Sequence, residues 1–408
     1  MRILLVNKFL YPRGEAESYV LDVGRQLEAM GNQVEYFGMY DPKNVVGNKL
    51  NLYTSPMDFH KLTVQAATYP FHLIYNKDAY KKMKAICLSF HPDVVHLNNF
   101  NYQLTPSIID AAKDCNIPVI MTAHDSQLVC VNHLLYNPRV NTICTLCVDK
   151  KDPTWCRETR CIHGSYVKSA IGTYKNAYYR RHNTYDWISA IICPSKFMKG
   201  IYDSDERFRS KTIYLQNYVV PAEKIETDKR HEKKPYFLYF GRLSPEKGVR
   251  NLLKAAKVFP DEMFYIAGSG PLENEVIEAS QDSNIRFLGF KSKKELTALI
   301  KNAKCVVLPS TCYENCPLSV MEAQQLHVPV LVPAYGGAAE LTYAKYQIRS
   351  TSEQALEEAI ARILQDPCAL RDMADDSAFR APAYMRLDVY CKTLHAIYMR
   401  ICLQSVCR

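Results

Sequence analysis

The sequence lacks three features, and each absence removes a class of protein from consideration. No stretch approaches the roughly 18 consecutive apolar residues of a membrane-spanning helix. The first residues, MRILLVNKFLYPRG, contain a short apolar run but no small-residue cleavage site, so we predict a buried strand there rather than a signal peptide. No basic run with interleaved aromatics matches a nucleic-acid-binding module, so we expect no nucleic-acid partner. These absences predict a cytoplasmic protein.

The composition is that of a globular protein with a modest positive charge. Hydrophobic residues make up 48% and charged residues 23% of 408 residues, a length that favours two domains. Lys and Arg total 51 against 42 Asp and Glu, which gives a net charge of +9. This excess fits phosphorylated small molecules or an anionic membrane surface. We therefore keep peripheral association with the inner face of the plasma membrane open.

Short apolar runs alternate with helical spacing in the first half of the chain. RILLVN (2–7) has the length and continuity of a strand buried on both faces of a parallel sheet, and residues 17–31 follow with helical spacing. Further runs of strand length occur at 33–39, 92–99, 118–125 and 190–195. This alternation predicts an α/β domain with a doubly wound sheet over residues 1–215.

The same pattern restarts after a charged, proline-bracketed segment at 217–236, which we interpret as a linker. Strand-like runs recur at 236–241, 263–268, 285–290, 305–310 and 328–333. They predict a second doubly wound domain over 216–380, and the helical spacing of 381–408 predicts a final helix that packs back on the first domain. Two such domains would bind a ligand in the cleft between them, at the carboxyl ends of the strands.

Residue types suited to phosphate follow two predicted strands of the second domain. Arg242 and Lys247 flank the turn RLSPEKG, where an arginine forks two phosphate oxygens and a lysine adds a compact charge. Gly268 and Gly270 in GSGPL allow a backbone to approach a ligand closely. GSGPL is not the dinucleotide fingerprint GxGxxG, so a dinucleotide fold is a poor match.

The stretch CYENCPLSVMEA (312–323) places two glutamates on either side of a predicted helix start. Pro317 suits the first helical position, and the amides of Leu318 and Ser319 would face a phosphate there. Glu314 and Glu322 could then accept hydrogen bonds from hydroxyls on the two sides of a diphosphate. A helix cap would need only one of them, so the pair favours a sugar joined through diphosphate to a ribose.

ENCPLSVMEA resembles the signature of glycosyltransferase family 4, in which two glutamates are separated by seven residues. GRLSPEKG, GSGPL and FLGF stand in that family's order, and the resemblance covers essentially the whole chain. It implies the GT-B fold, with two Rossmann-like domains facing a central cleft. It also implies a retaining transfer from a nucleotide-sugar such as a UDP- or GDP-sugar, with no cofactor required for catalysis.

The resemblance assigns roles to individual positions. Glu322 resembles the residue that holds the ribose hydroxyls, and Glu314 the residue that contacts the donor sugar. Arg242 and Lys247 resemble the diphosphate clamp, and His124, in TAHD at the end of a strand, resembles the donor-sugar histidine. The other implied donor-binding positions are Gly14, Gly268, Gly270, Phe290 at the base, Asn315, Pro317, Leu318 and Ser319.

The first loop departs from the family pattern. In YPRGEAES only Gly14 of the family's glycine pair is present, and Glu15 takes the second position. A carboxylate beside a diphosphate is unfavourable unless its side chain points away. This departure argues against close backbone approach at the loop and is consistent with some loss of activity.

A group of cysteines lies within a predicted insertion at 130–163 of the first domain. We expect no disulfide in a cytoplasmic protein, so tetrahedral, structural zinc is one interpretation, with His163 as a substitute ligand. The alternative is that the cysteines pack as small hydrophobic residues. The candidate zinc ligands are Cys130, Cys144, Cys147, Cys156 and Cys161. The cluster resembles that of family 4 enzymes from bacterial surface-polysaccharide pathways.

The favoured function is transfer of a sugar from a nucleotide-sugar to a glycan or lipid-linked glycan acceptor. The implied setting is surface polysaccharide synthesis, such as capsule, O-antigen or exopolysaccharide. One alternative is an isomerase of the same fold, such as a nucleotide-sugar 2-epimerase, which has no use for a separate acceptor site. The other is a weakly active nucleotide-sugar-binding protein, which the presence of Glu15 suggests.

Overall fold

A computed structural model describes residues 1–56, 73–220, 235–281 and 284–406. The chain divides into two compact units. Unit 1 comprises Met1–Leu134, Thr145–Leu215 and Leu387–Arg408, and unit 2 comprises Leu135–Cys144 and Gln216–Arg386. Most of the predicted linker, residues 221–234, lies outside the described residues. Among the helices of the described ranges, none combines the length and apolarity needed to span a membrane.

The strands follow the predicted alternation, with one short hairpin inserted. In chain order they are β1 Arg2–Val6, β2 Gln33–Phe37, β3 Val94–Leu97, β4 Val119–Thr122, β5 Tyr136–Asn137, β6 Thr142–Ile143, β7 Ile188–Cys193, β8 Thr212–Tyr214, β9 Tyr236–Phe240, β10 Met263–Ala267, β11 Ile285–Gly289, β12 Ala303–Val307 and β13 Val330–Leu331. The hairpin of β5 and β6 lies in the cysteine-rich segment and belongs to unit 2, whereas the sequence pattern placed the whole insertion in the first domain.

The helices separate these strands and close the chain. They are α1 Glu15–Ala29, α2 Lys77–Phe90, α3 Ser107–Asp114, α4 Leu146–Asp149, α5 Thr154–Thr159, α6 Tyr166–Arg181, α7 Lys196–Asp203, α8 Glu206–Arg209, α9 Val249–Val258, α10 Glu273–Ala279, α11 Lys293–Lys301, α12 Leu318–Gln325, α13 Glu353–Gln365, α14 Ala369–Arg380 and α15 Leu387–Val406. Short 3₁₀ turns occur at Thr184–Trp187, Pro245–Lys247, Gly337–Leu341, Ala344–Tyr346 and Ala381–Ala383.

Each unit is built on a parallel sheet whose strand order reverses once. In unit 1 the order is β2-β1-β3-β4-β7-β8, and in unit 2 it is β11-β10-β9-β12-β13. The reversal falls between β1 and β3 in unit 1 and between β9 and β12 in unit 2. Loops leaving neighbouring strands in opposite directions open a crevice at such a point, and ligands bind there outside the carboxyl ends of the strands.

Both faces of the unit 2 sheet are buried, which explains why its strands are continuous apolar runs. Successive side chains of a strand point to opposite faces. In β9, Phe237 and Tyr239 accordingly pack in one core cluster, while Leu238 and Phe240 pack in another. The core-facing positions of β9 are therefore filled by aliphatic and aromatic side chains. Ligand-binding chemistry is expected from the residues that follow the strand.

The final helix, α15, is joined to the core of unit 1 by buried hydrogen bonds. The Tyr390 hydroxyl bonds the Tyr19 hydroxyl at 2.8 Å, and Tyr19 bonds Thr122 Oγ1 at 3.1 Å. Thr122 Oγ1 in turn bonds His96 Nε2 at 2.8 Å, and His96 Nδ1 bonds the Tyr398 hydroxyl at 2.6 Å. These five groups form one continuous chain linking α15, α1, β3 and β4. Buried polar groups partnered in this way fix the position of the helix.

The fully buried His96 makes the stability of unit 1 sensitive to acid. Burial lowers the folded pKa of His96 to about 3, below the roughly 6.5 of an unfolded histidine. As pH falls from about 6.5 towards 3, the unfolded state therefore takes up a proton that folded His96 does not, and unfolding becomes more favourable. We expect His96→Gln to reduce this loss, by up to about 1.4 kcal/mol for each unit of pKa difference.

Tryptophan fluorescence is the appropriate measurement, because both tryptophans, Trp155 and Trp187, lie in unit 1. Thermal midpoints would be compared between pH 7 and pH 4.5 for wild type, His96→Gln and the control His182→Gln. His182 is exposed on the same unit, so its substitution should leave the acid sensitivity unchanged. An acid-induced drop in midpoint as large in His96→Gln as in wild type would contradict the assignment.

Candidate active site

Two loops of unit 2 meet at the strand-order reversal and are joined by an ion pair. One loop follows β9 and carries Lys247, and the other follows β12 and carries Glu314. Lys247 Nζ donates to Glu314 Oε1 at 2.8 Å and to Oε2 at 2.9 Å. Glu314 is 6% exposed, so the pair is screened little by water. The sequence assigned these residues to different parts of a ligand, and the structure brings them into contact.

The Glu314 loop is held by further hydrogen bonds. The Ser310 hydroxyl donates to Glu314 Oε1, and the Tyr335 hydroxyl donates to the Ser310 carbonyl at 2.7 Å. The Gly337 amide donates to the Glu314 carbonyl at 2.7 Å. The loop is thereby tied to the segment after β13 as well as to the Lys247 turn. Such support keeps a carboxylate in one orientation, as a binding residue requires.

Two predicted site residues of unit 2, Arg242 and Glu322, carry no ion pair within the described residues. Arg242, two residues after β9, is exposed, and its guanidinium forms no hydrogen bond there. Glu322 lies within α12, and its half-buried carboxylate also forms no hydrogen bond in the described part of the chain. Burial raises the pKa of Glu322, and the charge of Lys293 on α11 opposes this rise. Both groups therefore retain their bonding capacity for a ligand.

Glycines allow the loops of unit 2 to approach each other without side-chain clashes. Gly248 has φ +71°, and a Cβ there would lie 1.8 Å from the Pro309 carbonyl oxygen. Gly268 has φ +139°, and a Cβ there would lie 1.9 Å from the Gly241 carbonyl oxygen. Only glycine satisfies both the dihedral and the spacing. The predicted glycine at 270 lies just before α10, where its carbonyl accepts from the Glu273 amide at 3.1 Å.

The remaining predicted donor-binding residues surround α12 and the end of β11. Pro317 is the N-cap of α12 rather than its first helical residue, and Leu318 begins the helix. Ser319 is half-buried in the first turn, and Asn315 lies in the loop before it. Phe290, which follows β11, is 80% exposed. An aromatic ring of that size left in solvent is available to cover an apolar or planar ligand group.

In unit 1 the structure places His124 after β4, beside the residues that follow β3. His124 Nε2 bonds Asn98 Oδ1 at 2.9 Å, and the Tyr19 ring packs edge-on against the imidazole at 4.8 Å between ring centroids. Burial lowers the pKa of His124 to about 4. The imidazole is therefore neutral at pH 7 and acts as a hydrogen-bonding group rather than as a cation.

The first loop of unit 1 differs from a close-approach glycine turn. Gly14 precedes α1 in an extended conformation, with φ −161° and ψ −171°, which any residue adopts. Glu15 is the first residue of α1 and is exposed. A carboxylate at a helix N-terminus is favourable for the helix. The favourable position of its carboxylate at the start of α1 therefore explains the presence of Glu15.

The cysteines do not form the predicted zinc site. Cys156 and Cys161 are joined in a disulfide, so the expectation that the chain forms no disulfide is wrong for this pair. Two of the five candidate ligands are consequently not thiolates. Across the described ranges, no group of three or more His, Cys, Asp or Glu side chains is placed to hold a metal ion. Cys156, Cys161 and Ile162 instead pack in a small apolar cluster with Val131.

Sequence reasoning missed several residues that support the predicted site residues within each unit. Ser310 and Tyr335 support Glu314, and Asn98 orients His124. Asn98 had a visible signal, because it directly follows β3 and so lies at the carboxyl edge of the sheet. Ser310 had the same signal after β12. Tyr335 had none, since its role depends on the path of the chain after β13.

Comparison with known families agrees with this architecture. Residues 16–223 match the family described as Glycosyltransferase Family 4, and residues 222–380 match the family described as Glycosyl transferases group 1. Together with the two parallel α/β units, these matches define a group 1 glycosyltransferase with the GT-B fold. The chain belongs to glycosyltransferase family 4.

Individual relatives are distant. The chain is 29% identical to the alpha-D-kanosaminyltransferase of Streptomyces kanamyceticus over 44% of its own length and 50% of that protein's. It is 28% identical to O-antigen chain mannosyltransferase B of Escherichia coli over 37% of its own length and 44% of that protein's. In both cases the match spans half of the relative's length or less.

A solved structure matches over nearly the full length. The crystal structure of Anabaena HepE in complex with UDP and glucose superposes with a TM-score of 0.67 at 15% identity. The match covers 98% of this chain and 100% of HepE. At this level of identity, the likeness shows the fold.

The close approach of the two loops in unit 2 generates a stability prediction. Gly248 and Gly289 have nearly the same φ, +71° and +68°, but a Cβ at Gly289 would meet nothing within 4 Å. Gly289→Ala should therefore cost only the left-handed backbone strain, about 1–2 kcal/mol. Gly248→Ala must also displace the Pro309 carbonyl and should cost clearly more. Scanning calorimetry would measure both, and equal midpoints for the two variants would refute the close approach.

Proposed function

We propose that this chain is a retaining glycosyltransferase that transfers a sugar from a nucleotide-diphosphate sugar to a glycan or lipid-linked glycan acceptor. The observation that carries the proposal is the group of charges at the strand-order reversal of unit 2. It comprises the Lys247–Glu314 ion pair together with the Arg242 guanidinium and the Glu322 carboxylate, which have no ion-pair partner among the described residues. A diphosphate needs cations, and sugar hydroxyls need acceptors, so this mixture fits a nucleotide-sugar.

The roles within this group follow from their chemistry and from the family resemblance. Arg242 and Lys247 bind the diphosphate and stabilise its charge as it departs. Glu322 accepts hydrogen bonds from the ribose, and Glu314 contacts the donor sugar. Binding of the diphosphate at Lys247 would compete with the existing Lys247–Glu314 contact. Donor binding would then orient Glu314 toward sugar hydroxyls.

UDP is the nucleotide that we expect first, and GDP is the alternative. Support comes from HepE, which shares the fold and was solved with UDP and glucose. The exposed Phe290 ring at the end of β11 is suited to cover the base. Acceptor contacts in this fold are made by loops that vary between relatives.

The proposed reaction breaks the bond between the anomeric carbon and the diphosphate oxygen. The acceptor oxygen forms the new bond on the same face of the sugar, and its proton passes to the leaving diphosphate oxygen. No protein base is then needed, and the rate comes from positioning and charge stabilisation. Neutral His124 would contribute a hydrogen bond to the donor sugar rather than a charge.

The proposed setting is surface polysaccharide synthesis at the inner face of the plasma membrane. The likeness to an O-antigen chain mannosyltransferase supports this setting, although the match is partial. The net charge of +9 would favour peripheral association with anionic lipids. A lipid-linked acceptor would also be presented at that surface.

Calorimetric titration of UDP and GDP tests the donor site. We expect one nucleotide to bind wild type, and Glu322→Gln to weaken it by about 1.5–3 kcal/mol, because hydrogen bonds to a charged acceptor are lost. The matched control is Glu278→Gln, on exposed α10, which should leave affinity unchanged. An unchanged affinity in Glu322→Gln would remove the ribose role and weaken the donor-site proposal.

Turnover separates the transferase from its two alternatives. Wild type incubated with the bound nucleotide's sugar conjugates should release nucleoside diphosphate, and release should accelerate with a suitable acceptor. Binding without any release would favour the weakly active binding protein that Glu15 suggests. Conversion of the donor to an isomeric nucleotide-sugar would favour the epimerase.

A further inference from the structure

A second group of polar residues, three of them buried and two half-buried, lies in unit 1, apart from the contacts of His124. It consists of Lys175, Asp125, Asn101, Tyr102 and His133, which we call the Lys175 cluster. Asn101 and Tyr102 belong to the loop after β3, and Asp125 and His133 to the loop after β4, while Lys175 projects from α6. The cluster therefore lies at the carboxyl edge of the sheet, where open α/β domains bind ligands.

Lys175 is a buried cation with few partners. It is 6% exposed, and its ammonium donates one hydrogen bond, to Asn101 Oδ1 at 2.8 Å. The ammonium also lies 4.7 Å from the centroid of the Tyr102 ring. In the part of the chain that the structure describes, it has no ion pair. An ammonium has three N–H donors, so this environment leaves bonding capacity unused.

The pKa of Lys175 reflects the energetic cost of burying its charge. Burial lowers the pKa of Lys175 to about 7, although the charge of Asp125 opposes the fall. Burying a charged group without an ion-pair partner costs folding free energy. Retaining a lysine at such a position is consistent with a partner that arrives from outside the chain.

Asp125 is the second ionisable group in the cluster, and it does not neutralise Lys175 directly. The two charges influence each other's pKa, but no contact within 4 Å joins them in the described residues. The Asp125 carboxylate accepts a hydrogen bond from the backbone N–H of Gln127 at 3.0 Å. Lys8, after β1, is a further cation close enough to lower the pKa of Asp125. When Lys175 is protonated, it and Lys8 outweigh the single negative charge of Asp125.

The surroundings of Lys175 are held rigidly. Asn101 Nδ2 donates to Gln127 Oε1 at 2.9 Å, and Gln127 Nε2 donates to the Asn98 carbonyl at 3.0 Å. Tyr102 and His133 both have left-handed backbones, with φ +68° and +72°, and their rings stack at 4.9 Å. Strain of this kind persists only where the surrounding structure imposes it, and it concentrates at binding sites.

Resting on the proposed function, we infer that the Lys175 cluster binds an acidic substituent of the acceptor sugar, either a carboxylate or a phosphate. The anion pairs with the Lys175 ammonium and takes up its unused donors. Asp125 accepts a hydrogen bond from a neighbouring hydroxyl of the same sugar. The Tyr102–His133 pair forms the rigid wall of the site. Acceptors without the acidic group lose the pairing with Lys175.

Ligand-observed NMR with UDP present tests this inference on wild type. The probes are glucuronate, glucose 6-phosphate and glucose, and UDP occupies the phosphate site of unit 2. At least one acidic sugar should bind roughly tenfold or more tightly than glucose, as expected for a charge-assisted hydrogen bond. Preference for glucuronate would identify a carboxylate, and preference for glucose 6-phosphate a phosphate. Binding of neither acid more tightly than glucose would overturn the inference.

Two further measurements locate the effect at Lys175. Lys175→Met should abolish the preference, whereas Lys168→Met, an exposed lysine on the same helix, should retain it. Reductive methylation of wild type gives the same information without a variant, should Lys175→Met fail to fold. A saturating acidic sugar should slow methylation of Lys175 roughly tenfold relative to Lys168. A preference unchanged in folded Lys175→Met, or no protection of Lys175, would place the anion elsewhere.

UDP titration separates failure of this inference from failure of the proposed function. Folded Lys175→Met should bind UDP as wild type does, because the nucleotide site is built from residues of unit 2. If wild type binds UDP but shows no acidic preference, only the acceptor inference fails. If wild type binds no nucleotide, the proposed function fails whatever the behaviour of Lys175.

Discussion

The contact between Lys247 and Glu314 is the interaction on which the site in unit 2 depends. The two residues are 67 positions apart, and each follows a different strand at the order reversal of the sheet. An ion pair with one buried member adds little net stability, because desolvation offsets the attraction. Removing Lys247 is nevertheless costly, since the buried Glu314 carboxylate is left without its cation. The pair therefore fixes the positions of the loops after β9 and β12, and it keeps an ammonium and a carboxylate at the place where a ligand would bind.

The backbone makes this contact possible. The Lys247 turn can approach the β12 loop because Gly248 has no Cβ to meet the Pro309 carbonyl. The β12 loop is in turn fixed through Ser310 and Tyr335. Short parallel strands buried on both faces supply the rigid base for these loops. Gly248 thus allows the two loops to approach each other, the hydrogen bonds of Ser310 and Tyr335 fix the β12 loop, and the ion pair then joins the two loops.

Much of the fold could be predicted from sequence, because strands buried on both faces must be continuous apolar runs. RILLVN became β1, and the restart near residue 236 became β9, for this reason. The motif residues could be proposed because chemistry in such a fold follows strand ends, and Arg242, Lys247 and His124 lie after strands. The contact of Lys247 with Glu314 could not be predicted, since it depends on side-chain geometry across 67 residues.

Lys175 shows a different reason for failure. From sequence, the stretch TYKNAYYRRHNTYDW (173–187) predicts an amphipathic helix with tyrosines at its boundary. In the structure the buried positions of α6 include Ser169, Gly172, Thr173, Asn176 and Tyr179 as well as Lys175. A buried helix face made largely of small and polar residues carries little hydrophobic periodicity, so the pattern could not indicate which side faces inward.

The disulfide between Cys156 and Cys161 was missed for another reason. The prediction of no disulfide was based on the cellular compartment, and that argument cannot exclude two sulfurs brought together by a short helix.

Lys247 in unit 2 and Lys175 in unit 1 have different kinds of partner, and the contrast indicates what each lysine is for. Lys247 in unit 2 already has a carboxylate partner, Glu314. A ligand that binds Lys247 must therefore replace this contact, and only ligands that bind Lys247 more favourably than Glu314 does can do so. Lys175 in unit 1 has one amide oxygen and an aromatic face, so a ligand there adds a contact that the fold lacks. An anion gains more at the second kind of site, because desolvation of the lysine has already been completed during folding. Preorganised charge of this kind favours selectivity for acidic partners over neutral ones.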